Sequence, residues 1–209
     1  MTDLIERARL LYAGTDTAHD FDHVLRVLML VRRIGPAEGA NMRLLEVATL
    51  LHDIARADEV ARGVDHAQVG AERARTIVQE WGYTPAEAEA IARIIAAHRF
   101  RNETPPQTVE EKVLYDADKL DALGAIGVGR AFAYAGRTGQ RLWSEVPAHA
   151  RAARLVDPKQ HSPSIEFAVK LSLLADALHT ETARAIAQER HTFMVDFFER
   201  LDDEIRGIK

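Results

Sequence analysis

Apolar residues recur along this chain every three to four positions, the spacing that sets one face of an α-helix against a core. In residues 2–13 that face is Leu4, Ile5, Ala8, Leu11 and Tyr12, with Gly14 as a stop. Residues 21–34 repeat the pattern through Phe21, Val24, Leu28 and Val31, and Gly35-Pro36 ends it. Asn41 can cap a helix through MRLLEVATLLHDI; a looser stretch from Arg56 to Asp65 leads into a helix of about HAQVGAERARTIVQEW, stopped by Gly82. Thr84-Pro85-Ala86-Glu87 and Thr108-Val109-Glu110-Glu111 both have capping-box spacing, a hydroxyl three residues before a glutamate that reaches back. The second opens a helix toward Asp118, followed by the apolar segment LDALGAIGVGRAFAYAG. Residues 136–163 predict a long connection, Ser162-Pro163 the start of a helix through IEFAVKLSLLADAL, and 180–205 a last helix. Strand alternation, internal repeats and low-complexity tracts are missing from the sequence, so the expectation is an all-α fold in a single domain over 1–209. The final two helices either cover the core or form a subunit interface, which leaves room for a homo-oligomer.

Several ionisable residues sit where this period calls for burial. His52 follows Leu44, Leu45, Ala48 and Leu51 at the end of an apolar stripe, and His98 follows Ile91, Ile94 and Ile95 in the same way. Asp118 comes four residues after Leu114, and His23 opens a largely aliphatic helix. A buried carboxylate is costly unless it is paired or bound to a metal. Histidines and aspartates converging from several helices would remove that cost together. Imidazole and carboxylate ligands suit manganese, iron, zinc, cobalt or nickel, and oxygen-rich variants suit magnesium. Taken singly, His23 or His98 is more often a hydrogen-bonded core histidine than a ligand, and Asp53 is equally a solvated helix end; the joint order and spacing favour a site.

Composition narrows the chemistry. The chain has no cysteine, which removes disulfides, thiolate metal sites, iron–sulfur clusters and cysteine nucleophiles together. A metal site without sulfur ligands is more readily an open, catalytic one than a structural zinc. The formal charge of -5 argues against general nucleic-acid binding, which needs a basic surface. The amino-terminal MTDLIERARLLYAG lacks the apolar core of a signal peptide, and no apolar run is long enough to span a bilayer, so a cytoplasmic protein without membrane attachment is expected.

The order His23, then His52-Asp53, then Asp118 resembles the H…HD…D signature of the HD-domain superfamily of helical metal-dependent phosphohydrolases. HDFDHVLRV at 19–27, TLLHDIA at 49–55, HAQVGAERA at 66–74 and IIAAHRF at 94–100 resemble further family segments. YDADKLDALGAIGVGRAFAYAG at 115–136 is similar to a bacterial subgroup that includes nucleotide pyrophosphohydrolases. The resemblance implies an HD-domain helical bundle over about 18–136, with 137–209 as a long connection and additional C-terminal helices. It also implies His23, His52, Asp53 and Asp118 as ligands of one divalent ion, manganese first among manganese, magnesium, iron, cobalt, nickel and zinc. His66 and His98 occupy places that in some members bind a second ion and in others line the substrate pocket.

The implied reaction is hydrolysis of a phosphate ester or anhydride, in a nucleotide, by a metal-activated water. Asp53 would touch metal and water. Arg26, Arg56, Arg99 and Lys119 are candidate phosphate contacts, each within four residues of a proposed ligand or of His98, with a solvated surface role as the alternative. Lys119 lies inside DADKLD, and Asp121 could orient a water, hold Lys119 or fix a histidine. His19, one turn before His23, could meet substrate at the pocket mouth. Gly124, Gly127 and Gly129 lack the Lys-Ser/Thr ending of a phosphate loop and fit close helix packing instead. The rival readings are a dinuclear-iron HD-fold oxygenase, a non-catalytic nucleotide-binding regulatory module, and a purely structural helical protein.

Overall fold

The computed structural model describes residues 2–12, 21–99, 105–147 and 161–209. Among these residues there is no strand, and the chain is all-α. It forms two compact units, residues 1–118 with 179–183, and residues 119–178 with 184–209.

The first unit opens with α1 (Thr2–Arg9) and a 3-10 turn at Leu10–Tyr12. The regular helix is shorter than the expected 2–13, and Gly14 lies outside the described residues. Then follow α2 (Phe21–Ile34), α3 (Met42–Leu51), α4 (Arg56–Arg62), α5 (His66–Glu80), α6 (Pro85–Ala96) and α7 (Val109–Leu120), whose last two residues belong to the second unit. Helix α3 is the centre of this unit, packed on both α2 and α6. Its Leu45, Val47, Ala48, Leu50 and Leu51 are all essentially inaccessible, the mark of a helix covered on several sides. Helices α5 and α6 form the most extensive pair, joined by a turn in which Gly82 takes φ 89°, a left-handed conformation that suits glycine.

The expected caps form. Asn41 accepts from the Leu44 N–H at 3.4 Å. In the Thr84 box, Thr84 accepts from Glu87 N–H at 3.3 Å and Glu87 accepts from Thr84 N–H at 2.9 Å. Thr108 and Glu111 make the same reciprocal pair, both bonds at 3.3 Å. Two expectations are corrected. The looser stretch after Arg56 contains α4, RADEVAR, a helix that buries none of its residues and carries short-range ion pairs rather than a buried stripe. The helix from Ser162, capped by its hydroxyl at 3.4 Å, is α9 (Pro163–Val169) and ends at Lys170, whose φ of -137° leaves the helical region. Two 3-10 turns, Leu171–Leu173 and Ala175–Ala177, replace its expected continuation.

The second unit holds α8 (Gly124–Thr138), α9 and most of α10 (Glu181–Ile205). Phe167 stacks on Phe198 with centroids 4.6 Å apart, and Phe132 lies parallel to Phe198 at 6.3 Å. The connection expected from 136 starts later, because α8 runs on to Thr138 and ends at Gly139, whose φ is 68°; residues 139–147 carry no helix, and 148–160 lie outside the described residues. The glycines of this segment serve packing unequally. Gly124 has φ 71° and lies against the stem of Arg190; Gly129 faces open space. A Cβ on Gly127 would stand 2.2 Å from the carbonyl oxygen of Ala122, a backbone atom that cannot swing away. Gly127→Ala is therefore expected to destabilise the protein by about 3 kcal/mol, read as a lower urea midpoint, whereas Gly129→Ala is neutral or stabilising.

Candidate metal centre

The centre belongs wholly to the first unit and is assembled from helix ends. His52 directly follows α3, His66 is the first residue of α5, and His98 follows α6 after one residue; His23 lies in the first turn of α2 and Asp118 in the last turn of α7. His23, His52, Asp53, His66 and His98 are buried, and Asp118 is partly exposed.

Backbone carbonyls settle two tautomers. His52 Nδ1 lies 2.7 Å from Thr49 O, and His98 Nδ1 lies 2.6 Å from Ile95 O. A carbonyl oxygen only accepts, so both Nδ1 atoms carry the proton and both Nε2 atoms present lone pairs. His52 Nε2 is fully buried and has no hydrogen-bond partner. Burial lowers the His52 pKa to about 4, with the neighbouring His98 and His23 adding to that effect and Asp53 opposing it, so at neutral pH no proton occupies this lone pair.

The remaining ligand atoms close around that atom. His23 Nε2 is 3.2 Å from Asp118 Oδ1, and the ligand atoms of His23, His52 and Asp118 all lie within 4.8 Å of one another. His52, Asp53 and His98 form a second such group. Asp53 is the hub: its Oδ2 is 3.8 Å from His52 Nε2 and 3.9 Å from His23 Nε2, and its Oδ1 is 3.4 Å from His66 Nε2 and 3.6 Å from His98 Nε2. Burial by itself raises the Asp53 pKa, but the adjacent imidazoles of His52, His98 and His23 hold it well below the usual carboxylate range. Spacings of this size are those of ligands around an ion whose bonds are about 2.0–2.2 Å long. The buried orphan nitrogen, the nitrogen–oxygen donor set and the absence of sulfur fit a divalent transition ion.

Behind these groups lies Tyr12, which sequence reading placed only on an apolar face. Its hydroxyl donates to Leu50 O at 3.0 Å and accepts from Asp53 N–H at 3.3 Å, fixing the backbone of the hub residue. Burial, and then the charge of Asp53, push its pKa well above the ordinary value, so it remains a neutral hydroxyl. No periodicity links positions 12 and 53, and the pairing was invisible in the sequence.

The other candidate residues divide. His66 joins the centre: its Nε2 is 3.2 Å from His98 Nε2, and burial together with that neighbour lowers its pKa. Arg56 and Arg99 lie beside His66 but are engaged with carboxylates, Arg56 with Glu59 and Arg99 with both Glu59 and Asp65. Arg26 is half-buried on α2, one turn after His23. Lys119 and Asp121 are buried residues of the second unit, where the Asp121 carboxylate accepts from Arg130 Nη1 at 2.9 Å. His19 lies outside the described residues.

Known proteins resemble this chain in sequence and in fold. The HD domain family model matches residues 20–123. The uncharacterized protein YpgQ of Bacillus subtilis is 32% identical over 196 residues, spanning 92% of this chain and 87% of that protein. A crystal structure of B. subtilis YpgQ in complex with ADP matches with a TM-score of 0.75 at 30% identity, over 98% of this chain and 100% of that one. An HD-superfamily hydrolase from Bacillus thuringiensis gives 0.76 at 28% identity, over 98% and 96% of the two chains.

Proposed function

This chain belongs to the HD-domain superfamily of hydrolases, and from that premise we propose that it is a metal-dependent phosphohydrolase acting on a nucleotide phosphate ester or anhydride. The observation that carries the reading is the lone pair of His52 Nε2, fully buried, without a partner, and surrounded by His23, Asp53 and Asp118. The ADP bound to YpgQ supports a nucleotide as substrate class.

In this reading His23, His52, Asp53 and Asp118 hold one divalent ion. When bound, the ion lowers the pKa of a coordinated water and polarises a phosphoryl oxygen. The protein's own part is preorganisation. The carbonyls of Thr49 and Ile95 keep His52 and His98 in the tautomer that offers Nε2, and Tyr12 keeps the Asp53 backbone in place. Asp53, held ionised by the imidazoles around it, would bind the ion and orient a nucleophilic water by accepting its hydrogen bond. His66 and His98 face the same space and would orient the phosphate. No helix among the described residues is long and apolar enough to cross a membrane.

The test is a panel of nucleoside triphosphates, nucleoside monophosphates, dinucleoside polyphosphates and guanosine alarmones, each with manganese, magnesium, cobalt and nickel. Release of phosphate or pyrophosphate with at least one pair is expected, with manganese strongest. If no phosphorylated compound reacts under any metal, the reading fails. The closeness of His66, His98 and Asp53 also favours room for a second ion. Two irons per chain in protein purified without chelators, with oxygen consumed and no phosphate released, would turn the assignment to an HD-fold oxygenase.

A further inference from the structure

Glu59 lies on α4, and its carboxylate collects three donors. Oε2 is 2.8 Å from His66 Nδ1 and 2.5 Å from Arg56 Nη1, while Oε1 is 2.9 Å from Arg99 Nη2. The other arm of Arg99 reaches Asp65 Oδ2 at 2.5 Å. Asp65 in turn caps α5, accepting from Ala67 N–H at 2.9 Å, so His66 begins the helix that Asp65 closes. The imidazole and the backbone that bears it are thus tied to the same guanidinium through two carboxylates, a ring of charge-assisted bonds.

His66 has two ways to satisfy its ring. Arg56 Nη1 is 3.2 Å from His66 Nδ1, and were that a donated bond the ring proton would sit on Nε2, pointing into the centre. The contact to Glu59 is shorter, a carboxylate only accepts, and Arg56 already donates to that same carboxylate.

We propose that Glu59 is a positioning residue for His66: its carboxylate accepts the Nδ1 proton and leaves the Nε2 lone pair directed at Asp53 and His98. Both the tautomer and its catalytic consequence rest on the metal-centre reading above: His98 Nε2, 3.2 Å away, is itself unprotonated and Asp53 only accepts, so the His66 lone pair is satisfied there by a bound cation. Arg56 and Arg99 then act by holding Glu59, which accounts for two guanidinium groups so near the centre being engaged with carboxylates.

Long-range proton–nitrogen correlation spectra of the full, nitrogen-15-labelled chain loaded with diamagnetic magnesium or zinc, above pH 8, read the tautomer directly. His66→Gln identifies the His66 signals. The wild type is expected to carry the His66 proton on Nδ1; Glu59→Leu is expected to move it wholly or partly to Nε2, and Glu59→Gln, whose amide oxygen still accepts, to restore it. His52 and His98, set by backbone carbonyls, should not change and report that the fold persists. In the metal-loaded enzyme, turnover is expected to fall roughly 10–100-fold in Glu59→Leu and to recover in Glu59→Gln. A wild-type proton on Nε2 overturns the proposal even if Glu59→Leu fails to fold, and so does an unchanged tautomer or equal turnover in all three proteins. A wild type with the Nδ1 tautomer but no activity on any phosphorylated compound counts against the phosphohydrolase reading alone.

Discussion

Asp53→Ala is expected to strip the protein of its metal while leaving most of the helical fold standing. Among the described residues the carboxylate is the group that approaches His23, His52, His66 and His98 together, at 3.4 to 3.9 Å. Its removal deletes a ligand and also leaves four buried imidazole nitrogens facing one another without a counter-charge. Breaking a buried, paired charge typically costs about 3–5 kcal/mol, and if that loss falls on binding, metal affinity drops roughly 10²–10⁴-fold. Metal content measured after dialysis should fall to the level of a blank, and hydrolysis with it, while far-ultraviolet circular dichroism stays helical. Asp53→Asn keeps the shape but not the charge and should lose nearly as much affinity with less effect on stability. If Asp53→Ala retained its full metal content, the centre would have to be sought elsewhere and the assignment would fall.

How much of this was legible before the structure depends on whether the signal was local. The His52-Asp53 pair stood out because polar residues end an apolar stripe on α3, and the Thr84 and Thr108 caps because hydroxyl and glutamate are three residues apart. Helix α4 was read as a looser stretch because it buries no apolar face; its stability lies in side-chain pairs such as Arg56–Glu59, which periodicity does not register. The break after Val169 is the converse case, an apolar run that continues while the backbone turns at Lys170. Tyr12 and Glu59 escaped notice for a third reason. Their partners lie 41 and 40 residues away in Asp53 and Arg99, and such pairings come from tertiary packing alone.

The acidic segment DADKLD shows the same limit within six residues, and it yields the second large prediction. Asp116 and Asp118 are two apart on α7, about 200° around a helix, and so cannot share a face. Asp118 approaches His23, whereas Asp116, fully buried, accepts from the backbone N–H of His179 at 2.9 Å and of Thr180 at 2.7 Å, and from the Thr180 hydroxyl at 2.7 Å. Burial raises the Asp116 pKa, and the Thr180 and His179 donors oppose that rise. Asp116→Ala would leave those three donors facing an apolar methyl group. At about 1–3 kcal/mol for each donor left unsatisfied, and with some relaxation, a loss of about 3–5 kcal/mol follows. For a chain of this length that lowers the melting temperature by roughly 10 °C. Asp116→Asn should recover only part of it, because one end of the amide is itself a donor and would meet a donor. The decisive comparison is with Asp118→Ala, expected to lose metal with little loss of stability, while Asp116→Ala loses stability yet binds metal below its melting temperature. Should the two variants behave alike in both measurements, the division of labour along α7 would be wrong.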